Sequence, residues 1–193
     1  AALALDIDHI SAYALIVETG TKLAAQIKRG DLTIPDDDLM ADMYLLVDQL
    51  CEEAGLSWYE LSNWSKPGKE CLHNIAYWKS ANWWGLGPGA HSHVDKKRFW
   101  NVKHPTAYKQ KLFAKESPIA DSEDLTDEQL RDESIMLAIR MRSGLSLDLL
   151  SSAAQERVMQ YQSSGHLNQI DGKLQLTAQG RMIADRLVRE ALG

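Results

Sequence analysis

The stretch Pro35-Asp36-Asp37-Asp38-Leu39-Met40-Ala41-Asp42-Met43-Tyr44-Leu45-Leu46-Val47-Asp48-Gln49-Leu50-Cys51-Glu52-Glu53-Ala54-Gly55, followed by Leu56-Ser57-Trp58-Tyr59-Glu60-Leu61-Ser62, reads as a helix running into a strand. Three aspartates crowd the start, where the helix dipole favours anions. Leu39, Met43, Leu46, Val47, Leu50 and Ala54 recur at three or four residues and mark an apolar face, with Cys51 near it, and Gly55 suits the position just past the end. Upstream, Ile10-Ser11-Ala12-Tyr13-Ala14-Leu15-Ile16-Val17 is a nearly continuous small and apolar run, the pattern of a strand buried on both faces, ended by Glu18-Thr19-Gly20-Thr21. Strand, helix and strand in this order predict a βαβ crossover and a parallel α/β sheet.

Beyond the turn at Lys66-Pro67-Gly68-Lys69, the tract is rich in flat side chains. All six tryptophans lie between Trp58 and Trp100, and His73, His91, His93 and His104 fall in the same half of the chain. Trp83-Trp84-Gly85-Leu86-Gly87-Pro88-Gly89-Ala90-His91 reads as a strand entering a glycine turn, and Val94 and Phe99 flank a hairpin turn at Asp95-Lys96-Lys97. The acidic, polar segment from Ser117-Pro118 to Asp124 reads as a linker, so the expected division is 1–118 and 119–193. Past it, Thr126-Asp127-Glu128-Gln129 has the form of a capping box. The helix it opens should turn Leu130, Leu137 and Met141 inward and close at Gly144. Ser146 can cap a short helix, and Ala153 to Ser163 forms another. Leu167–Ile170 and Lys173–Leu176 flank Asp171-Gly172 as a hairpin, and Thr177 caps a final helix through Leu192. Helices followed by a two-stranded wing make a small winged-helix-like module.

Composition narrows the function. With 193 residues, 45% hydrophobic and 25% charged, the chain is an ordinary globular protein. Its apolar runs fall well short of the ~20 residues that span a bilayer, and no secretory leader opens it. A net charge of −6 argues against broad nucleic-acid binding. The winged-helix-like module alone would suggest a helix-turn-helix regulator. Residues 120–193, however, hold 8 Lys and Arg against 12 Asp and Glu, and the expected recognition helix offers only Arg157 beside Glu156, so a docking or lid module is the better reading. Cys51 and Cys71 provide neither a disulfide framework nor a four-ligand zinc site, which fits a reducing, cytoplasmic setting. A phosphate cradle at Gly85–Gly89 is disfavoured, because Pro88 removes a donor and no helix period begins at His91. Ala1 in place of Met, with no cap before the first apolar run, looks like a cut end.

His73-Asn74-Ile75-Ala76-Tyr77-Trp78 is the most suggestive cluster, an imidazole and an amide beside two flat aromatics. An imidazole can serve as an axial haem ligand and aromatic faces can line a porphyrin, but on the residues alone a hydrogen-bonded core histidine with aromatic packing is the favoured reading.

The order of motifs resolves the ambiguity. Asp8 through Thr21, Pro35-Asp36 leading to Met43-Tyr44, Tyr59-Glu60-Leu61-Ser62-Asn63-Trp64, His73-Asn74 with Tyr77-Trp78, Gly85 through Ser92, and the ending Leu176-Thr177-Ala178-Gln179-Gly180-Arg181 together resemble the later half of a radical-SAM protein of the oxygen-independent coproporphyrinogen III oxidase family, most of all its haem-chaperone branch. The resemblance implies later strands and helices of a partial (β/α)₆ radical-SAM barrel and a small winged-helix-like C-terminal domain. The [4Fe-4S] cluster of that family sits on a Cys-x₃-Cys-x₂-Cys loop in the early barrel, a triad this chain does not contain. The resemblance also places Ile16 and His91 against the adenine of S-adenosylmethionine. It assigns His73, Asn74, Tyr77 and Trp78 to haem binding, with His73 as ligand to the iron. That motif is incomplete in true oxidases, which favours a chaperone that passes haem to an acceptor protein, with oxidative decarboxylation of coproporphyrinogen III as the alternative. Pro88 and Trp64 depart from the family pattern.

Overall fold

The computed structural model describes all 193 residues. Strand β1 (His9–Ser11) is followed by the short helix α1 (Lys22–Lys28) and the long helix α2 (Asp37–Glu53). Strands β2 (Ser57–Glu60) and β3 (Asn63–Ser65) come next, and they form with β1 a sheet of order β1-β3-β2. The expected parallel sheet is not formed, because both pairings are antiparallel. Its two outer strands do run in the same direction across α2, but the chain turns back at Leu61-Ser62 and inserts β3 between them. The expected strand at Ile10–Val17 is likewise shorter. β3 presents only three residues to pair with, so after Ala12 donates to the Ser62 carbonyl at 2.9 Å the chain leaves the sheet as coil, and Tyr13, Leu15 and Ile16 lie exposed.

Asp36 caps α2 by accepting from the Leu39 N–H at 2.8 Å. The helix carries two apolar stripes of the same spacing. The one holding Tyr44, Val47 and Cys51 packs on the sheet with Leu56, Trp64 and Ile10, while Leu39, Met43, Leu46 and Leu50, expected to face inward, are exposed. Burying apolar area stabilises whichever stripe meets the sheet, and helical period alone does not choose between them.

Helix α3 (Leu72–Trp78) leads to the hairpin of β4 (His91–Val94) and β5 (Lys97–Asn101), which turns at Asp95, φ +57°, as expected. The expected strand before the glycine turn is reduced to a single bridge between Trp83 and His93. Glycine is required at position 85, where a Cβ would stand 2.1 Å from the His91 carbonyl oxygen. Asn101 holds the turn from the other side, donating to the carbonyls of Gly85 and Gly87 at 3.3 and 3.0 Å.

Helix α4 (Pro105–Phe113) follows, and then the segment read as a linker, which is instead strand β6 (Ile119–Asp124), antiparallel to β5. Its acidic residues face the basic end of the hairpin, with Arg98 meeting Glu123 at 3.3 Å and Lys97 meeting Asp124 at 3.6 Å. These pairs are partly or wholly exposed and individually weak; the backbone ladder holds the strand.

The last module comprises α5 (Asp127–Ala138), β7 (Leu145–Ser146), α6 (Ser152–Ser163), β8 (Leu167–Ile170), β9 (Lys173–Leu176), α7 (Ala178–Met182) and α8 (Ala184–Leu192), with a sheet of order β7-β9-β8. The capping box at Thr126 and Gln129 is present, and Asp171 and Gly172, both at positive φ, make the expected hairpin turn. On α5, however, Ile135 and Ile139 enter the core rather than Leu130 and Leu137, and the helix ends at Ala138 rather than near Gly144. The final helix is two pieces broken at Ile183, where ψ turns to +23°. This module docks on the first sheet through a bridge between Met141 and Glu60 and through Arg142, whose N–H donates to the Tyr59 carbonyl at 2.9 Å.

Candidate functional site

Helix α3 has seven residues, no side-chain cap from Cys71 and no fully buried residue. His73 is exposed, its ring meeting the edge of Tyr77 at 4.9 Å, and neither ring nitrogen is engaged by a protein group. Tyr77 in turn meets Trp83 at 4.8 Å and Trp83 meets His93 at 4.8 Å, all edge to face. A ladder of four rings therefore runs from the surface imidazole inward to a histidine that is 2% exposed and whose Nε2 has no partner. Trp78 is half-buried and stands outside this ladder.

Asn74 points the other way. Its Nδ2 donates to the Tyr59 hydroxyl at 3.2 Å and to Glu60 Oε1 at 3.3 Å. Tyr59 also meets His9 Nε2 at 2.9 Å, and Glu60 accepts from Asn63 Nδ2 and from the Ser62 N–H. Glu60 is 1% exposed and has no cationic partner; burial pushes its carboxyl above the ordinary range, against the pull of Ser62 and Asn74. Burial also raises the Tyr59 hydroxyl.

Ile16 and His91 are not joined by any hydrogen bond or ring contact. Ile16 is 74% exposed on the coil after β1, and His91 opens β4, stacked on Trp100 at 5.4 Å. Beside Ile16, however, residues Ala12–Leu15 close an apolar cavity of about 200 Å³ over Met40, Met43, Tyr44 and Val47. Tyr44 is raised to about 12 by burial, and its hydroxyl donates to the Leu61 carbonyl at 2.8 Å.

The residues present do not fit an iron–sulfur cluster, since Cys51 is buried, Cys71 is exposed and no three acidic, cysteine or histidine side chains converge. They do fit a haem ligand, because that requires one accessible imidazole with a free nitrogen and apolar flat neighbours. Arg157, the one cation of the expected recognition helix, donates from Nε to the Glu190 carbonyl at 2.9 Å and is spent inside the module. Residue patterns had not singled out Glu60, Tyr59, His9 or Trp83 for a role. Tyr59-Glu60 and Asn63 stand within a quoted motif, but only the folded sheet brings them under α3.

The HemN C-terminal domain model matches residues 125–183. Over all 193 residues the chain is 46% identical to the haem chaperone HemW of Mycobacterium tuberculosis, covering 50% of that protein, and 30% identical to that of Bacillus subtilis, covering 53%. The chain thus spans about half the length of the curated relatives it matches. The solved coproporphyrinogen III oxidase HemN of Escherichia coli, described as a radical SAM enzyme, shares the fold at a TM-score of 0.70 and 18% identity, over 98% of this chain and 49% of that one. Whole-chain likeness to the haem chaperones HemW, a HemN C-terminal domain over residues 125–183 and the HemN fold agree, and the chain is a relative of the HemW and HemN proteins that corresponds to about half of their length.

Proposed function

We propose that the chain carries the haem-binding face of a radical-SAM haem chaperone, with His73 supplying the axial nitrogen and Tyr77, backed by Trp83, lying along the ligand. The observation that carries this reading is an exposed imidazole, free at both nitrogens, fixed edge-on to an aromatic ladder within His73-Asn74-x-x-Tyr77-Trp78. Bound haem would offer redox-active iron. The residues of this chain hold it, orient it and exclude water from one side, and a neutral His73 is required for ligation.

On the same reading S-adenosylmethionine lies toward Ile16 and His91, supported by the apolar cavity next to Ile16, while a [4Fe-4S] cluster needs thiolates from outside these residues. The two-module division near residue 118 is retained, with β6 tying the second module to the β4-β5 hairpin. Two free cysteines support a cytoplasmic setting, and an acceptor protein receives the haem. No helix is long and apolar enough to cross a membrane. The oxidase alternative keeps the support of the HemN C-terminal domain match and the HemN-like fold.

Haem titration of the full-length protein tests the assignment. His73→Ala should weaken or shift the Soret band, whereas His166→Ala, in the last module and hydrogen-bonded to Ser164, should leave it unchanged. A Soret band and affinity unaltered in His73→Ala would remove the chaperone reading.

A further inference from the structure

Two facts about α3 need a common explanation. The helix is two turns long with no buried residue and no side-chain cap, far below the ~12–15 residues at which a helix sustains itself. Directly beneath it lies a carboxylate, Glu60, that is almost wholly buried and has no counter-charge, an arrangement that costs free energy unless hydrogen bonds satisfy it.

We propose that Glu60 and Asn74 form a positioning anchor that fixes the orientation of α3 and thereby holds His73 outward toward its ligand. This inference rests on the haem-ligand reading of His73 for its purpose, though not for its geometry. Glu60 is the acceptor hub: Asn63 Nδ2, Asn74 Nδ2 and the Ser62 N–H all donate to it. A carboxylate suits this position because every neighbour is a donor; an amide would have to turn its own NH₂ against one of them. Tyr59, held by His9, gives Asn74 a second acceptor.

Successive helical residues lie ~100° apart. Pinning Asn74 onto β2 therefore leaves His73 on the open side, and Tyr77, one turn on, reaches Trp83. Asn74 acts in this scheme by facing away from the ligand, so it is a positioning residue and not a contact of the haem.

The test uses full-length protein in four forms: parent, Asn74→Ala, His73→Ala and the double variant. Asn74→Ala is chosen first because the side chain is only half-buried, and its truncation leaves Asn63 and the Ser62 N–H as donors to Glu60. Glu60→Gln is the second probe. Hemin titration should show about tenfold weaker binding in Asn74→Ala, the scale of one lost charge-assisted hydrogen bond, with a displaced Soret band. In the His73→Ala background the same substitution should change nothing, because the anchor acts only through His73. In haem-free protein, amides of Leu72–Trp78 should exchange faster in Asn74→Ala and Glu60→Gln, while those of the last module keep their rates.

Parent-like affinity and spectrum in Asn74→Ala would overturn the proposal, as would an equal loss in the His73→Ala background. Unchanged exchange at α3 would overturn it whatever haem does. If His73→Ala alone leaves haem binding intact, the ligand assignment fails, and the exchange rates still decide whether the anchor exists.

Discussion

Replacing Arg181 with Met should separate the two modules energetically. Arg181 has a side chain 2% exposed and reaches from α7 across to α2, where its two terminal nitrogens grip Asp48 in a bidentate pair. Nη1 also donates to the Tyr44 hydroxyl at 3.3 Å, and the guanidinium lies 4.5 Å from the Trp58 ring centre. Met fills similar volume but leaves Asp48 in a largely buried place with Trp64 Nε1, at 2.7 Å, as its remaining donor. Removing one member of a buried pair costs about 3–5 kcal/mol, since the partner stays desolvated and unpaired. For a chain of this length each kcal/mol lowers Tm by about 2–4 °C, so scanning calorimetry should show a fall of ~6–20 °C.

The pH dependence has a definite sign. Burial alone would raise Asp48, but hydrogen bonds from Arg181 and Trp64 and the Arg181 charge outweigh it and hold the carboxyl below its ordinary value of 3.8. The pair's contribution is therefore fully present above that value and lost as pH falls through the lower folded one. In Arg181→Met burial acts unopposed by the cation, Asp48 moves upward, and protonation relieves it. The stability gap between parent and variant should thus be widest near neutrality and narrow below about pH 4. Asp48→Asn added to Arg181→Met should recover part of the loss. A gap under about 1 kcal/mol at neutral pH, the worth of an exposed pair, would refute the reasoning.

Three further outcomes follow from named contacts. Cys71, exposed, should react with a maleimide in native protein, while Cys51, buried and with its thiol pushed up by burial, should react only on unfolding; equal rates would contradict the packing of α2. Gly85→Ala should cost about 1–3 kcal/mol in a denaturant melt, as expected for overpacking, because its Cβ meets the His91 carbonyl at 2.1 Å; an unchanged midpoint would show that the turn yields freely. Anaerobic iron and sulfide reconstitution of residues 1–193 should give no cluster absorbance, since two distant cysteines cannot supply the thiolates; stoichiometric uptake would contradict this.

The last module was readable because its signals are local. A capping box at Thr126 and an Asp171-Gly172 turn specify backbone geometry within a few residues, and both are present. The first sheet was not. Alternation and apolar runs cannot reveal that β3 inserts between β1 and β2, so the parallel expectation and the long strand through Val17 both failed on a non-local pairing. The same holds for α2, whose two stripes are equivalent until a sheet meets one of them. Residues 119–124 read as linker because charge and exposure suggest solvent, yet all six are exposed and all but Ala120, at a register shift, are still paired, as an edge strand allows. On α3, the ring contact of His73 with Tyr77 was legible from their spacing of four. Glu60 was not, because a carboxylate in a β-prone run gives no hint that tertiary structure will bury it without a cation.

The central claim, that His73 binds haem through its imidazole, is tested most directly by resonance Raman spectroscopy of the reduced haem complex of the full-length protein. The account predicts an iron–imidazole stretching band in the parent that disappears in His73→Ala and returns when free imidazole is added. The same band persisting in His73→Ala would place the ligand elsewhere and contradict the account.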